Sequence, residues 1–150
     1  MNQQKENRIL PFKIRRTEKT PGFEYNPDTN TIIISGKSIP EDHKIVFDPI
    51  LDWLSIFVSN PPDKTLMVLK LNYFNSASSR YFMKILRKLE VISESGKKIE
   101  IHWIYEKDDI DMYDCGLDYK DLVNFPFSLI AVDDLDYNHA QFKKLVFLFL

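Results

Sequence analysis

An uninterrupted apolar run, Leu66, Met67, Val68 and Leu69, reads as a strand covered on both faces. The period then changes. Phe82, Ile85, Leu86 and Leu89 fall on one face of a helix. Between the two lies a short polar turn, Asn75, Ser76, Ala77, Ser78 and Ser79, with Arg80 just beyond. Asn and Ser are the residue types that cap a helix through its first free amides. The helix is predicted to run to about Ser95, with Gly96 as its stop.

Upstream, Gly22 to Tyr25 and Thr31 to Ser35 read as a hairpin turned by Asn26-Pro27-Asp28, with Gly36 ending the second strand. The stretch from Ser38 to Lys44 reads as a loop. Asp48 is then placed to cap a helix with Pro49 at its first position. Ile50, Leu51, Leu54, Phe57 and Val58 would form its inner face, with Trp53 packed on the flank, and Asn60-Pro61-Pro62-Asp63 would break it. Downstream, Ile99, Ile101, Trp103 and Tyr105 alternate with Lys98, Glu100 and His102, which predicts a strand with one buried and one wetter face. Acids at the head of residues 106–121 suit a helix start, and Phe125 to Val132 reads as a last strand. The order ββαβαβαβ implies an α/β domain with a mixed sheet and helices packed on it.

The two ends fall outside this pattern. Residues 1–19 carry an excess of Lys and Arg and read as a flexible basic arm, although Ile9 to Ile14 offers an edge strand. Residues 135–150 form an amphipathic extension in which Phe142, Leu145, Val146, Phe149 and Leu150 keep helical spacing. A terminal helix on the domain is the plain reading, and a dimer contact the next. The domain proper is assigned to residues 20–134.

A chain of 150 residues suits one domain, burying roughly 70% of its unfolded surface. A net charge of −2 gives no sign of nucleic-acid binding. Cys115 is the only cysteine, which excludes an internal disulfide and points to a reducing compartment, the cytoplasm. The polar N-terminal stretch lacks the apolar core of a secretion signal. No apolar run approaches the roughly 20 residues of a membrane span.

Candidate chemistry is sparse. Asp108, Asp109, Asp111 and Asp114 lack the spacing, glycine and terminal glutamate of a calcium loop. His43, His102 and His139 form no ligand pair at helical spacing. Acidic neighbours around Cys115 would raise its thiol pKa and so blunt a nucleophile. Ser76 lacks a nucleophile-elbow context, and the turn lacks the glycines of a nucleotide-cradling loop. No catalytic residue, metal or cofactor is assigned. Two alternatives stay open: a small metal-dependent or thiol enzyme using residues 108–116, and a structural dimerising subunit.

Several longer stretches carry a resemblance. They are TPGFEYN at 20–26, ISGKSIPED at 34–42, ILDWL at 50–54, LNYFNSASSR at 71–80, IHWIYEKDDIDMYDCG at 101–116 and FPF at 125–127. Together they resemble the SiaC family of bacterial regulatory phosphoproteins, whose domain is similar to the STAS fold of anti-sigma-factor antagonists. The resemblance covers roughly Thr17 to Val132. It implies a STAS-like mixed sheet in a single domain and a non-enzymatic, partner-switching phosphoprotein. The position it implies for phosphorylation is Ser76, directly after Asn75, with Ser78 and Ser79 as nearby alternatives. It implies control by a serine/threonine protein kinase and a PPM-type phosphatase. The unphosphorylated form would bind an output protein such as a diguanylate cyclase, in cyclic-di-GMP signalling. Partner contact would fall on Asn75, Ser78, Ser79 and Arg80, and on Ile39, Glu41 and Asp42 of the preceding loop. At that loop the family usually has tyrosine where Ile39 stands and asparagine where Asp42 stands.

Overall fold

The computed structural model describes residues 9–136. In chain order the elements are β1 (Phe12–Ile14), β2 (Gly22–Asn26), β3 (Thr31–Ser38), α1 (His43–Ser59), β4 (Lys64–Phe74), α2 (Ser76–Glu94), β5 (Lys98–Glu106), α3 (Ile110–Leu122) and β6 (Phe127–Val132). The six strands form one sheet in sequence order. β1, β2 and β3 pair antiparallel, and β3 to β6 pair parallel. This is the mixed α/β sheet expected from the sequence.

Three parallel crossovers of one hand, each stepping to the next strand, place their helices on one face of a sheet. Core membership here has that form. Phe47, Ile50, Leu54 and Phe57 of α1 and Phe82, Ile85, Leu86, Leu89 and Ile92 of α2 share one cluster with Met67, Leu69, Ile101 and Trp103 of the sheet. Leu66, Val68 and Ile104 point the other way and gather with Leu135 in a second, smaller cluster. β4 is therefore buried on both faces, from Thr65 to Leu69. The face of β5 expected to be wetter is drier than the alternation implied: His102 and Ile104 are both buried.

Four local expectations are corrected. α1 begins at His43, not after Asp48; Asp42 is its N-cap and accepts from the amides of Lys44 and Ile45. Pro49 lies inside the helix, on an exposed position, so the Ile45 carbonyl that loses its amide partner can be hydrated. β3 does not end at Gly36; it continues to Ser38 through a register shift at Gly36/Lys37. Gly36 holds φ +96 with the Arg16 side chain against it, a conformation that strains any other residue. The basic arm is not free throughout: Phe12–Ile14 pairs with Phe23–Tyr25, and Phe12 stacks on Trp53 at 5.5 Å. Ring burial there outweighs the arm's solvation. Residues 1–8, and the amphipathic extension from residue 137 onward, lie outside the described residues.

Gly116 is the tightest helix–sheet approach among the glycines. A Cβ there would come within 2.6 Å of Trp103 Cδ1 and 2.9 Å of Leu129 Cδ2. Trp103 cannot yield freely, because its Nε1–H donates to the Met112 carbonyl of the same helix at 3.0 Å. Gly116→Ala is expected to lower unfolding free energy by about 1–3 kcal/mol, read as a lower urea midpoint at unchanged slope; an unaltered midpoint would contradict this packing.

Candidate functional site

The carboxyl ends of β3, β4 and β5 lead into the N-termini of α1, α2 and α3, so the three helix starts share one end of the sheet. In parallel α/β sheets this is the end where sites are built. The Asn75–Ser79 turn sits at its centre.

Asn75 is the N-cap of α2, and its Oδ1 accepts from the Ser78 amide at 2.9 Å. The same oxygen lies 3.0 Å from His43 Nε2. An amide oxygen only accepts, so the network assigns the proton to Nε2 of His43. Nε2 is also 3.0 Å from Ser78 Oγ. Ser78 Oγ donates to the Ser38 carbonyl at 2.8 Å and lies 2.8 Å from Ser38 Oγ. With its one proton given to a carbonyl, Ser78 Oγ must accept from both Ser38 and His43. Its hydrogen-bonding capacity is then filled. The Ser38 carbonyl also accepts from the Asn75 amide at 3.1 Å. His43 is held from its other side by rings: it stacks on Tyr81 at 5.9 Å and Phe47 at 6.2 Å.

These bonds sort the serines. Ser78 is 0% exposed, so its hydroxyl reaches neither an enzyme nor a partner surface in this arrangement. This corrects its place among the candidate modification and contact residues: it is a tie between β3 and α2. Ser79 is half-buried and its Oγ donates to the Ser76 carbonyl at 2.9 Å, while its own carbonyl accepts from Tyr119 at 2.8 Å. Ser76, the first residue of α2, is exposed, as is Arg80. Of the three hydroxyls, that of Ser76 alone is both presented to solvent and without a hydrogen bond to any described residue.

The preceding loop is tied to the same turn through Ser38 and His43. Ile39 is half-buried, with its amide bonded to the Lys19 carbonyl at 2.8 Å. Glu41 is exposed, 3.5 Å from Lys19. Asp42 is exposed and spends one oxygen on its capping role. Aspartate and asparagine cap about equally well, so the difference from the family pattern at this position leaves α1 intact. The fold thus gathers Ile39, Glu41, Asp42, Asn75, Ser76, Ser79 and Arg80 at one end of the sheet and withdraws Ser78. The sequence did not single out His43 or Ser38 for this site. They stand 32 and 37 residues before Asn75, and only the β3–β4 pairing brings them to it. Exposed Tyr73, Ile110 and Tyr113 lie at the same end, on β4 and α3.

The acidic stretch is organised differently. Asp109 caps α3 by accepting from the Met112 amide at 3.1 Å. Among the described residues no three His, Cys, Asp or Glu converge as metal ligands. Burial pushes the Cys115 thiol up, reinforced by Asp118, Asp111, Asp114 and Asp109. It is therefore held as the thiol, the form that does not attack. Burial also pushes the Tyr119 phenol well up, despite its bond to Ser79. No helix of the described residues is long and apolar enough to cross a membrane.

Known proteins share this fold. The crystal structure of apo-SiaC from Pseudomonas aeruginosa superposes with a TM-score of 0.76 at 24% identity, covering 82% of this chain and all of that one. A structure of the diguanylate cyclase SiaD in complex with its activator SiaC, from the same organism, gives 0.76 at 24% identity over 81% of this chain and 99% of that one. An uncharacterized Pseudomonas aeruginosa protein is 25% identical over 118 residues, 79% of this chain and 94% of its own length. The match to the family of SiaC regulatory phosphoproteins runs over residues 14–132, and on that match this chain belongs to the SiaC family.

Proposed function

We propose that this protein is a non-enzymatic, phosphorylation-controlled binding module acting in the cytoplasm, and that Ser76 is the phosphate acceptor. A serine/threonine kinase would add the phosphate and a PPM-type phosphatase would remove it. The unphosphorylated form would bind an output protein of the diguanylate cyclase class through the end of the sheet that carries Asn75, Ser76, Ser79, Arg80, Ile39, Glu41 and Asp42. The observation that carries this reading is the contrast of neighbours: Ser76 open at the first position of α2, Ser78 sealed two residues on. Membership of a regulatory phosphoprotein family supports it, as does the pairing of the relative SiaC with the cyclase it activates.

The energetics have the right sign. A phosphate brings about −1.5 to −2 charges and three acceptor oxygens. On the free protein, the N-terminus of α2 welcomes it by about 0.3–1 kcal/mol. Under a docked partner, the same dianion loses water, and burying it without a counter-charge costs several kcal/mol. Micromolar binding amounts to about 8 kcal/mol, so a penalty of that size dissolves the complex without any refolding of the module.

Phosphopeptide mapping of the protein from its own cells is expected to place phosphate on Ser76 and none on Ser78; phosphate found consistently elsewhere would overturn the assignment. In calorimetry with the diguanylate cyclase of the same organism, the Ser76-phosphorylated form should bind at least about 100-fold more weakly than the unmodified one. Equal affinities would remove the switch.

The two serines should also separate in stability. Ser76→Ala is expected to leave unfolding free energy within about 0.5 kcal/mol of the parent. Ser78→Ala strips a buried hydroxyl from three partners and should cost about 1–3 kcal/mol. Chemical denaturation of both variants decides it, and a neutral Ser78→Ala would contradict the network.

A further inference from the structure

We propose that Arg80 is the phosphate's counter-charge within the module: once Ser76 is phosphorylated, the Arg80 guanidinium pairs with the phosphoryl oxygens one helical turn away. The inference rests on Ser76 as the acceptor and names the residue that answers its new charge.

Spacing brings the two together. Ser76 and Arg80 are the first and fifth residues of α2. Residues four apart on a helix hold their Cβ atoms about 5–6 Å from each other. With 3.6 residues per turn, each lies about 160° around the helix axis from Ser78, which is 0% exposed. Both therefore stand on the solvent face, and both are exposed. Direction agrees with spacing. A helical side chain leans toward the N-terminus and covers the turn before its own Cα. For Arg80 that turn is the one holding Ser76. An anion placed N-terminal to a cation is also the favoured order for such a pair.

The charged groups nearby have other tasks. Besides Ser76, the residues three or four positions from Arg80 are Ala77, Met83 and Lys84, and none is acidic. α2 carries no acid in its first turn. Lys84 is turned to Tyr81, its Nζ 4.7 Å from the ring centroid. In the preceding loop Glu41 lies 3.5 Å from Lys19, and Asp42 caps α1. Asp109 caps α3. An arginine suits the task, because its planar fork bonds two phosphoryl oxygens at once. Phosphorylation then changes the surface twice. It adds an anion, and it draws in an arginine whose fork a partner's acid would otherwise use. The paired group keeps a net charge of about −0.5 to −1, so a docked partner still meets an anion that needs water.

The test uses the full chain with phosphoserine encoded at position 76, so that no kinase is needed. Its phosphorus resonance is titrated at low salt in the parent, in Arg80→Gln and in Arg80→Lys. A nearby cation favours the dianion, so the second phosphate pKa of the parent should lie below that of Arg80→Gln by about 0.3–0.7 pH units. Arg80→Lys should restore part of the difference, and about 1 M salt should erase most of it. Lys84→Gln removes a positive charge two turns from Ser76 and should move the value less than half as far. Equal values in the parent and Arg80→Gln would overturn the pair, and so would an equal shift from Lys84→Gln. Because the phosphate is installed, these outcomes judge Arg80 alone; the phosphopeptide map decides whether cells modify Ser76.

Discussion

The Ser78 hydroxyl has one proton and two lone pairs, and the fold uses all three. It gives its proton to the end of β3 and accepts from Ser38 and from the first residue of α1. A buried hydroxyl left short of partners is costly, so these three elements have one mutual arrangement in which none is wasted. Asn75 completes it by capping α2 with the same oxygen that meets His43. The position of Ser76 is set in turn, since the residue after a fixed cap has its backbone fixed, and its side chain points away from the bonds that hold Ser78. An exposed hydroxyl on a rigid turn is what a modifying enzyme can read and what a partner can be built against.

Much of this fold was legible from periodicity. The switch from the Leu66–Leu69 run to the Phe82–Leu89 helical face marked β4 and α2, and Gly96, at φ +86, stops α2 where a glycine was expected to. The turn was legible as a cap, and the family resemblance pointed to Ser76 within it. What periodicity could not show was which serine faces inward. Ser76, Ser78 and Ser79 are alike in chemistry, and the distinction depends on Ser38 and His43, delivered by a strand pairing some forty residues away. Pro49 misled for a local reason: proline favours a helix's first turn, but it is tolerated further in when the orphaned carbonyl meets water. Phe12 was ambiguous because its ring, and not its backbone pattern, decides the docking of β1.

The wetter face assigned to β5 holds at Lys98 and Glu100 and gives out at His102 and Ile104, for a reason of topology. Alternation says that two faces differ; it does not say what covers the second. With strands stepping one way and every crossover on the same side, the helices leave one face of β3 to β6 to whatever the chain has left. A fully parallel segment is rarely stable with a bare face. Lys98, Glu100 and His102 suggested that the bare face would be polar, yet Leu66, Val68 and Ile104 make its centre apolar. Reading β4 and β5 side by side, in place of each strand alone, would have shown that conflict.

The two ends of the sheet thus face different physical demands. At the carboxyl end, the N-terminus of α2, capped by the neutral Asn75 and with no acid in its first turn, brings positive potential to a surface that also exposes Tyr73, Ile110 and Tyr113. Apolar groups favour a partner there; the helix amides favour an anion there. The two preferences are compatible on the free protein and exclusive under a docked interface, because the partner removes the water that the anion needs. No second conformation of the module is required for such a surface to have two states. Under the proposed switch the turn must only not relax to hide the added charge, and the saturated bonds of Ser78 and Asn75 resist that relaxation. Rigidity at the buried serine and exposure at its neighbour are therefore one design, in which a sealed hydroxyl holds an open one in place.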